Sequence, residues 1–255
     1  MKLNKKKILS VLAVLGLGLA VSMSSFRAGG VSSFGDGAAT VDLSVDPSAG
    51  TVKTMNGSGD VEVDFAALKE RNQDIYAWVT VPGTRVDYPV LQKSDAKDPY
   101  DNYYLDHTAD LEEGLPGAVY TQPVNQKDFM DPVTVLYGHN MKNGGMFSSL
   151  HEFEGSGFFE GNSQVVIYTP DGTLDYEIFA AVEFSDALLP YEYDFTQASE
   201  VQRYLGDVRG CQGNFREGVT VSEGDKVLTL STCYSDKEES RLLIVAVLKE
   251  GLETE

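Results

Sequence analysis

From residue 86 onward the chain carries short apolar runs that are rich in β-branched and aromatic residues and are separated by polar or turn-forming segments. Runs of this length and composition predict strands. The runs are VDYPVL (86–91), GAVYT (117–121), VTVLYG (133–138), QVVIYT (164–169), TLDYEIFAAVEF (173–184), KVLTLSTC (226–233) and RLLIVAVL (241–248). Asp171-Gly172 lies between two of these runs and predicts a tight hairpin. Because the runs do not alternate with regular helices, the pattern favours a mostly antiparallel barrel or sandwich.

Helical periodicity is limited to a few patches. Asp64 is a candidate N-cap for a short helix over the segment DFAALKERNQDIYAWV (64–79), in which Asn72 marks a break between two helical turns. Further helical patches lie at about 145–153 and 196–208. No internal repeat is visible, and residues 62–250 are therefore predicted to form one domain.

The first residues have the pattern of an export signal. Lys5, Lys6 and Lys7 precede the apolar run ILSVLAVLGLGLAVSM (8–23). Residues 1–26 are therefore predicted to be a retained signal-anchor or a cleaved signal peptide. A retained helix would keep the N-terminus cytoplasmic and the body extracellular at the cell membrane. Residues 27–61 are rich in small residues and predict a flexible tether.

Composition excludes several classes of function. The 255 residues contain 20 Lys+Arg and 39 Asp+Glu, which gives a formal charge of -19. A phosphate backbone would be repelled by such a body, so no nucleic-acid partner is expected. Two cysteines and three histidines are too few for a disulfide-rich scaffold or a four-thiolate zinc site.

An acidic segment over 94–113 offers oxygens for calcium, but its spacing is not that of an EF-hand loop. A solvated loop is predicted there, with no metal and no cofactor.

Two residues at strand ends can carry nucleophilic chemistry. Cys233 ends the run KVLTLSTC and is followed at once by polar residues, so it would be held rigidly yet remain open to a substrate. His139 follows the run VTVLYG in the same way, and histidine is the usual proton-transfer partner of a thiol. His107 lies in the acidic loop, and packing or solvent contact explains His151 at the end of a helical patch. Arg241 opens the last run, so a hairpin would bring its guanidinium beside Cys233 to bind an oxyanion or a peptide carbonyl.

Together these motifs resemble the sortase family of cysteine transpeptidases. The signature strand is TLSTC (229–233), and arginine opens the next strand in RLLIV (241–245). The segments WVTVPGTRVDYPV (78–90), NYYL (102–105) and YGHNM (137–141) are similar to class B members of the family. The resemblance covers about residues 62–250. It implies a mostly β, closed antiparallel or mixed β-barrel of about eight strands. It also implies an N-terminal helix and a helical insertion before the cysteine-bearing strand.

The resemblance also implies roles for individual residues. Cys233 would be the nucleophile, His139 the general acid/base and Arg241 the group that stabilises the substrate carbonyl and the oxyanion. Ser231, Thr232 and Leu105 match positions that line the substrate groove. Tyr234 departs from the family, because class B members often have an acidic residue directly after the cysteine.

Family enzymes cleave a C-terminal sorting motif of surface proteins after its threonine and form a thioacyl enzyme. They then transfer the acyl group to an amine of a peptidoglycan precursor or of a pilin lysine. Water competes with the amine, so peptidase activity is expected as a side reaction. The loop over 185–222 is a candidate lid that would keep water from the acyl-enzyme.

Two other interpretations remain open at the level of sequence. Cys211 and Cys233 could form a disulfide in an exported binding module with no catalysis. A papain-like cysteine hydrolase is a further alternative, but there cysteine precedes histidine in the chain, whereas here His139 precedes Cys233.

Overall fold

The computed structural model describes residues 52–55 and 61–250, and strands are the main regular elements of this part of the chain. The strands are β1 (Lys53–Met55), β2 (Val61–Val63), β3 (Ile75–Thr80), β4 (Asp87–Leu91), β5 (Val119–Tyr120), β6 (Val133–Tyr137), β7 (Gln164–Thr169), β8 (Gly172–Ser185), β9 (Gly213–Phe215), β10 (Val227–Cys233) and β11 (Ser240–Glu250). The α-helices are α1 (Phe65–Arg71), α2 (Ser156–Gly161), α3 (Leu189–Glu192) and α4 (Ala198–Arg209). Two 3₁₀ helices cover Tyr103–Leu105 and Ser148–Glu154.

Eight of these strands close into a barrel. They are hydrogen-bonded in the order β11-β10-β6-β5-β4-β3-β7-β8, and β8 pairs with β11 to complete the circle. The β4–β5 and β6–β10 pairs are parallel, and the other pairs of the barrel are antiparallel. The predicted closed, mixed β-barrel of about eight strands is therefore confirmed.

Strand alternation explains the continuous apolar run over 242–248 in β11. Side chains of β11 alternate between the barrel interior, which takes Leu242, Ile244 and Ala246, and a second cluster outside the barrel. Helix α4 covers that second cluster with Val201, Tyr204, Leu205 and Val208. Because β11 is buried on both faces, it reads as a continuous apolar run.

The N-terminal helix forms as predicted, but its continuation does not. Asp64 caps α1 by accepting a hydrogen bond from the Ala67 N–H over 2.9 Å, and the helix ends before Asn72. The residues after Asn72 form β3 and not a second helical turn. Side chains of β3 alternate, with Ala77 and Val79 in the barrel interior and Trp78 in a third cluster beside α1. A strand buries apolar side chains on both of its faces in this way, whereas a short helix buries only one face.

The predicted helical insertion before β10 is present as α3 and α4. The buried hydroxyls of Tyr204 and Thr229 lie 2.8 Å apart and join α4 to β10. β9, which the sequence pattern did not predict, adds to the outer edge of β8 within the same insertion. The expected role of the loop over 185–222 as a lid stays a prediction.

The described chain starts within the range expected to be a tether. Lys53 of β1 is 2% exposed and forms an ion pair with Asp87 of β4. Trp78 Nε1 and Thr80 Oγ1 also donate to the same carboxylate oxygen, at 2.7 and 2.8 Å. The predicted signal segment 1–26 and most of the range 27–61 lie outside the described residues. Within residues 52–55 and 61–250, no helix is long and apolar enough to cross a membrane.

Candidate active site

Parallel pairing brings His139 and Cys233 to the same rim of the barrel. β6 and β10 run side by side in parallel, and Ser231 is the register partner of Tyr137. The pairing extends one step further, because the Gly138 N–H donates to the Ser231 carbonyl over 3.2 Å. His139 and Cys233 each follow the register pair by two residues, so both stand where their strands leave the sheet.

Arg241 lies directly opposite Cys233 on the neighbouring strand. The two residues are register partners in the antiparallel pair of β10 and β11. Because Ser231 directs its carbonyl toward β6, Cys233 two residues later faces the same way, and the Cys233–Arg241 pair is of the non-hydrogen-bonded type. Side chains of such a pair project from the same face of the sheet, with Cβ atoms about 4.5–5.5 Å apart. The register therefore starts the side chains of Arg241 and Cys233 side by side on one face of the sheet.

The guanidinium of Arg241 keeps hydrogen-bonding capacity for a ligand. Its Nη1 donates to the carbonyl of Ser240 over 3.0 Å, and it forms no ion pair with a carboxylate in the described part of the chain. An arginine has five N–H donors. The remaining donors suit a substrate carbonyl or a developing oxyanion.

A backbone carbonyl orients the His139 ring. Nε2 donates to the Leu105 carbonyl over 2.7 Å, which leaves Nδ1 for proton transfer. Leu105 ends a 3₁₀ helix, and the neighbouring Tyr104 carbonyl accepts from the Ala118 N–H over 3.0 Å. Leu105, predicted to line the substrate groove, therefore contacts the predicted acid/base through its main chain.

Two stacked tyrosines stand on the strands β5 and β6 that precede the site. Tyr120 of β5 stacks on Tyr137 of β6 with ring centroids 5.3 Å apart. Burial raises the pKa of Tyr120, and the charge of a Cys233 thiolate raises it further. The Tyr120 hydroxyl donates to Asn102 Oδ1 over 3.1 Å. Sequence reasoning did not identify Tyr120, because a tyrosine in an apolar strand is ordinarily a core residue.

The other predicted groove residues differ in their surroundings. Ser231 is 6% exposed, and strand alternation sets it on the same face as Cys233. Thr232 is 2% exposed and points to the opposite face, and its Oγ1 has no hydrogen-bond partner among the described residues. The structure thus brings Cys233, His139, Arg241 and Leu105 together and leaves Thr232 inside the protein.

The carbonyl oxygen of Cys233 has two partners that sequence reasoning missed. Asn140 Nδ2 donates to it over 3.0 Å, and His151 Nε2 lies 3.1 Å from it. His151 was assigned to packing or solvent contact, and that interpretation is incomplete, since its ring contacts the main chain of the predicted nucleophile. Its position at the end of a helical patch gave no signal of this contact.

The two cysteines are free thiols, and the alternative with a Cys211–Cys233 disulfide is therefore wrong. Cys211 follows α4, and its Sγ donates to the Asp207 carbonyl over 3.3 Å. Cys233 lies at the barrel rim at the end of β10. Burial raises the pKa of the Cys211 thiol, with Asp207 and Glu183 adding to the effect.

The acidic segment forms local ion pairs. Asp95 contacts Lys93 at 2.5 Å, and Asp110 accepts from Arg71 Nη2 at 2.8 Å. In the described part of the chain, no group of three His, Cys, Asp or Glu side chains is placed to hold a metal ion.

Comparisons with known proteins identify relatives of this chain. A family model described as Sortase domain matches residues 79–249. Sortase B of Listeria monocytogenes is 32% identical over 193 residues, which cover 75% of this chain and 76% of the relative. Sortase B of Staphylococcus aureus is 26% identical over 189 residues, or 74% and 75% of the two chains.

Solved structures give the same result. The crystal structure of Clostridium perfringens sortase B has a TM-score of 0.65 and 29% identity, with 73% of this chain and 100% of that chain covered. A Staphylococcus aureus sortase B–substrate complex has a TM-score of 0.63 and 25% identity, with 73% and 85% covered. A Streptococcus pyogenes class B sortase involved in pilus biogenesis has a TM-score of 0.61 and 25% identity, with 73% and 98% covered. The chain therefore belongs to the sortase family of cysteine transpeptidases, within class B.

Proposed function

We propose that this protein cleaves a C-terminal sorting motif of surface proteins after its threonine and transfers the new acyl group to an amine. The register of the rim carries the proposal. Cys233 has Arg241 as its direct partner on one side, and His139 follows the parallel strand on the other side. A nucleophile, a proton carrier and a fixed positive charge at one opening are what a thioacyl mechanism needs.

In the first half-reaction the Cys233 thiolate attacks the carbonyl carbon of the threonine. A carbon–sulfur bond forms, and the carbonyl oxygen becomes an oxyanion that the Arg241 guanidinium stabilises. The carbon–nitrogen bond then breaks, and protonated His139 gives its proton to the leaving amine. The products are a thioester on Cys233 and a free C-terminal peptide.

In the second half-reaction an incoming amine attacks the thioester. His139 accepts a proton from the amine, the new amide bond forms, and Cys233 leaves as a thiolate. The Leu105 carbonyl holds His139 by Nε2 in both steps, so Nδ1 is the nitrogen that exchanges the proton. Water in place of the amine gives hydrolysis.

Relatives support the substrate class. One Staphylococcus aureus sortase B has been solved as a substrate complex, and one Streptococcus pyogenes class B sortase takes part in pilus biogenesis. We infer that Ser231 and Leu105 line the peptide groove of this protein. Thr232 would contact the peptide only after a movement that exposes it. The acceptor is a peptidoglycan-precursor amine or a pilin lysine, and an N-terminal membrane helix would keep the enzyme at the cell envelope near both.

Intact-mass measurement tests the proposal. The purified protein is incubated with sorting peptides of the Leu-Pro-x-Thr-Gly and Asn-Pro-x-Thr-x kinds, with and without an added amine. We expect an acyl adduct on the wild type and on Cys211→Ala, and none on Cys233→Ala. Added triglycine or a lysine peptide should convert the adduct into a ligated product. Cleavage that persists in Cys233→Ala would refute the proposal.

A further inference from the structure

A chain of contacts leads from a carboxylate to the main chain of the cysteine. His151 lies in the 3₁₀ helix Ser148–Glu154, and its Nδ1 donates to Glu154 Oε1 over 2.5 Å. Its Nε2 lies 3.1 Å from both the Cys233 carbonyl oxygen and Asn140 Nδ2. The side chains of Glu154, His151 and Asn140 all line an open cavity of about 390 Å³ next to residues 234–237.

The need for these contacts follows from where β6 ends. The Ser231 carbonyl is satisfied by the N–H of Gly138, the residue that directly follows β6. Carbonyls of alternate residues in a strand point the same way, so the Cys233 carbonyl points beyond the end of β6. Asn140 Nδ2 and the His151 ring occupy the place where the next backbone donor would be. They satisfy a main-chain acceptor that the sheet leaves without a partner.

We propose that His151, oriented by Glu154, is a positioning residue for Cys233. This inference rests on the proposed transpeptidase function. Because the peptide group is planar, holding the Cys233 carbonyl fixes the last backbone torsion of that residue. The same contact sets the path of the chain into residue 234. We call the contacts of His151 and Asn140 with the Cys233 carbonyl the carbonyl clamp. The direction of the thiol relative to His139 and Arg241 then depends on the clamp, and small errors in such geometry lower a reaction rate strongly.

The clamp works in either protonation state of the ring. With its one proton on Nδ1, the neutral ring accepts at Nε2 from Asn140 and so fixes the amide that donates to Cys233. The doubly protonated ring donates from Nε2 to the Cys233 carbonyl itself. In both states removal of the ring frees the Asn140 side chain and loosens the carbonyl.

Four variants test the role in kinetics. In His151→Ala we expect kcat for acylation by a sorting peptide to fall about tenfold, with KM changed less than twofold, because one hydrogen bond that holds the Cys233 carbonyl, directly or through Asn140, is lost. His151→Gln keeps a side-chain amide and should recover most of that loss. Glu154→Gln should lose a few-fold. Glu152→Gln changes an exposed glutamate of the same helix and should match the wild type.

The rates are expressed per reactive thiol, counted by alkylation in a Cys211→Ser background. A merely structural role of His151 would lower that count and the melting temperature and leave kcat per thiol unchanged, and this result would overturn the proposal. A kcat per thiol that is low in His151→Ala and close to wild type in His151→Gln supports a hydrogen-bonding role of residue 151.

A measurement without substrate separates this inference from the function on which it rests. Cysteine labelled with ¹³C at the carbonyl gives two resonances, and Cys211 serves as an internal reference. In His151→Ala we expect only the Cys233 resonance to move, together with slower alkylation of Cys233 by iodoacetamide. If neither changes, the clamp is refuted even in an active enzyme. If both change while the wild type forms no adduct with any sorting peptide, the transpeptidase proposal fails and the clamp stands.

Discussion

Gly117 links a backbone turn to the orientation of His139, and its replacement by alanine tests that link. Gly117 has φ of +65°, and a Cβ built on it would lie 2.6 Å from the Leu105 carbonyl oxygen and 2.9 Å from that of Tyr104. The Leu105 oxygen is the acceptor for His139 Nε2 at 2.7 Å. Both clashing atoms are backbone, so the segment of Leu105 has to move.

The size of the effect follows from these distances. Contacts of a real Cβ begin near 3.0 Å and become comfortable above 3.4 Å, so the carbonyl has to shift by roughly 0.4–0.8 Å. Left-handed alanine costs about 1–2 kcal/mol, and overpacking adds about 1–3 kcal/mol. A shift of this size at the atom that holds the imidazole should lower kcat/KM at least about tenfold, since a 1 Å misplacement can cost about a hundredfold.

Gly218→Ala is the matched control. Gly218 has φ of +87° with nothing within 4 Å of its Cβ position, so this variant carries the backbone strain without the clash. Thermal unfolding and acylation kinetics, measured below both transitions, should show lower stability in both variants but slower acylation only in Gly117→Ala. Wild-type kcat/KM in folded Gly117→Ala would refute the idea that the Leu105 carbonyl orients His139.

Three further predictions follow from the described contacts. Asp87→Ala leaves Lys53 buried without its carboxylate and should lower the free energy of unfolding in urea by about 3–5 kcal/mol, with part recovered in Lys53→Met/Asp87→Ala; equal losses in the single and double variants would contradict this. Burial lowers the pKa of Lys53 below 10.5, although Asp87 opposes this shift, so the unfolded chain binds the Lys53 proton more tightly than the folded chain does. The loss of unfolding free energy caused by Asp87→Ala should therefore shrink as pH rises toward 10.5. Arg241→Lys keeps the positive charge but loses the planar set of N–H donors of the guanidinium, so kcat/KM should fall about a hundredfold while circular dichroism shows an intact fold. A loss under threefold would refute the oxyanion role. Cys211→Ser should keep wild-type transfer rates in the peptide assay, and a tenfold fall would show that this distant thiol takes part.

Much of the barrel was predictable because each strand carries its own signal. The run VTVLYG (133–138) became β6 and the run KVLTLSTC (226–233) became β10, with ends within one residue of the prediction. β3 was mistaken for helix because burial on both faces hides the two-residue period. β1 and β9 have only three residues each, so they carry too little local pattern. β9 also depends on pairing with β8, which lies far from it in the sequence.

The site was predictable to the extent that its residues sit at strand ends. Cys233 and His139 were predicted in this way and Arg241 from a hairpin; the structure confirms these positions, and the catalytic roles stay predictions. His151 was not found, because its contact with the Cys233 carbonyl depends on a 3₁₀ helix folding back across a strand that follows 73 residues after Glu154. Tertiary pairing of this kind leaves no mark on local periodicity.

The parallel pairing of β6 with β10 has a consequence for the order of events in synthesis. His139 emerges long before β10 exists, and until then β6 is joined to the sheet only through Tyr120 and Tyr137 on the β5 side. Contacts of such high sequence separation form late in folding. A growing chain therefore brings the proposed nucleophile Cys233 beside His139 and Arg241 only when its last two strands close the circle.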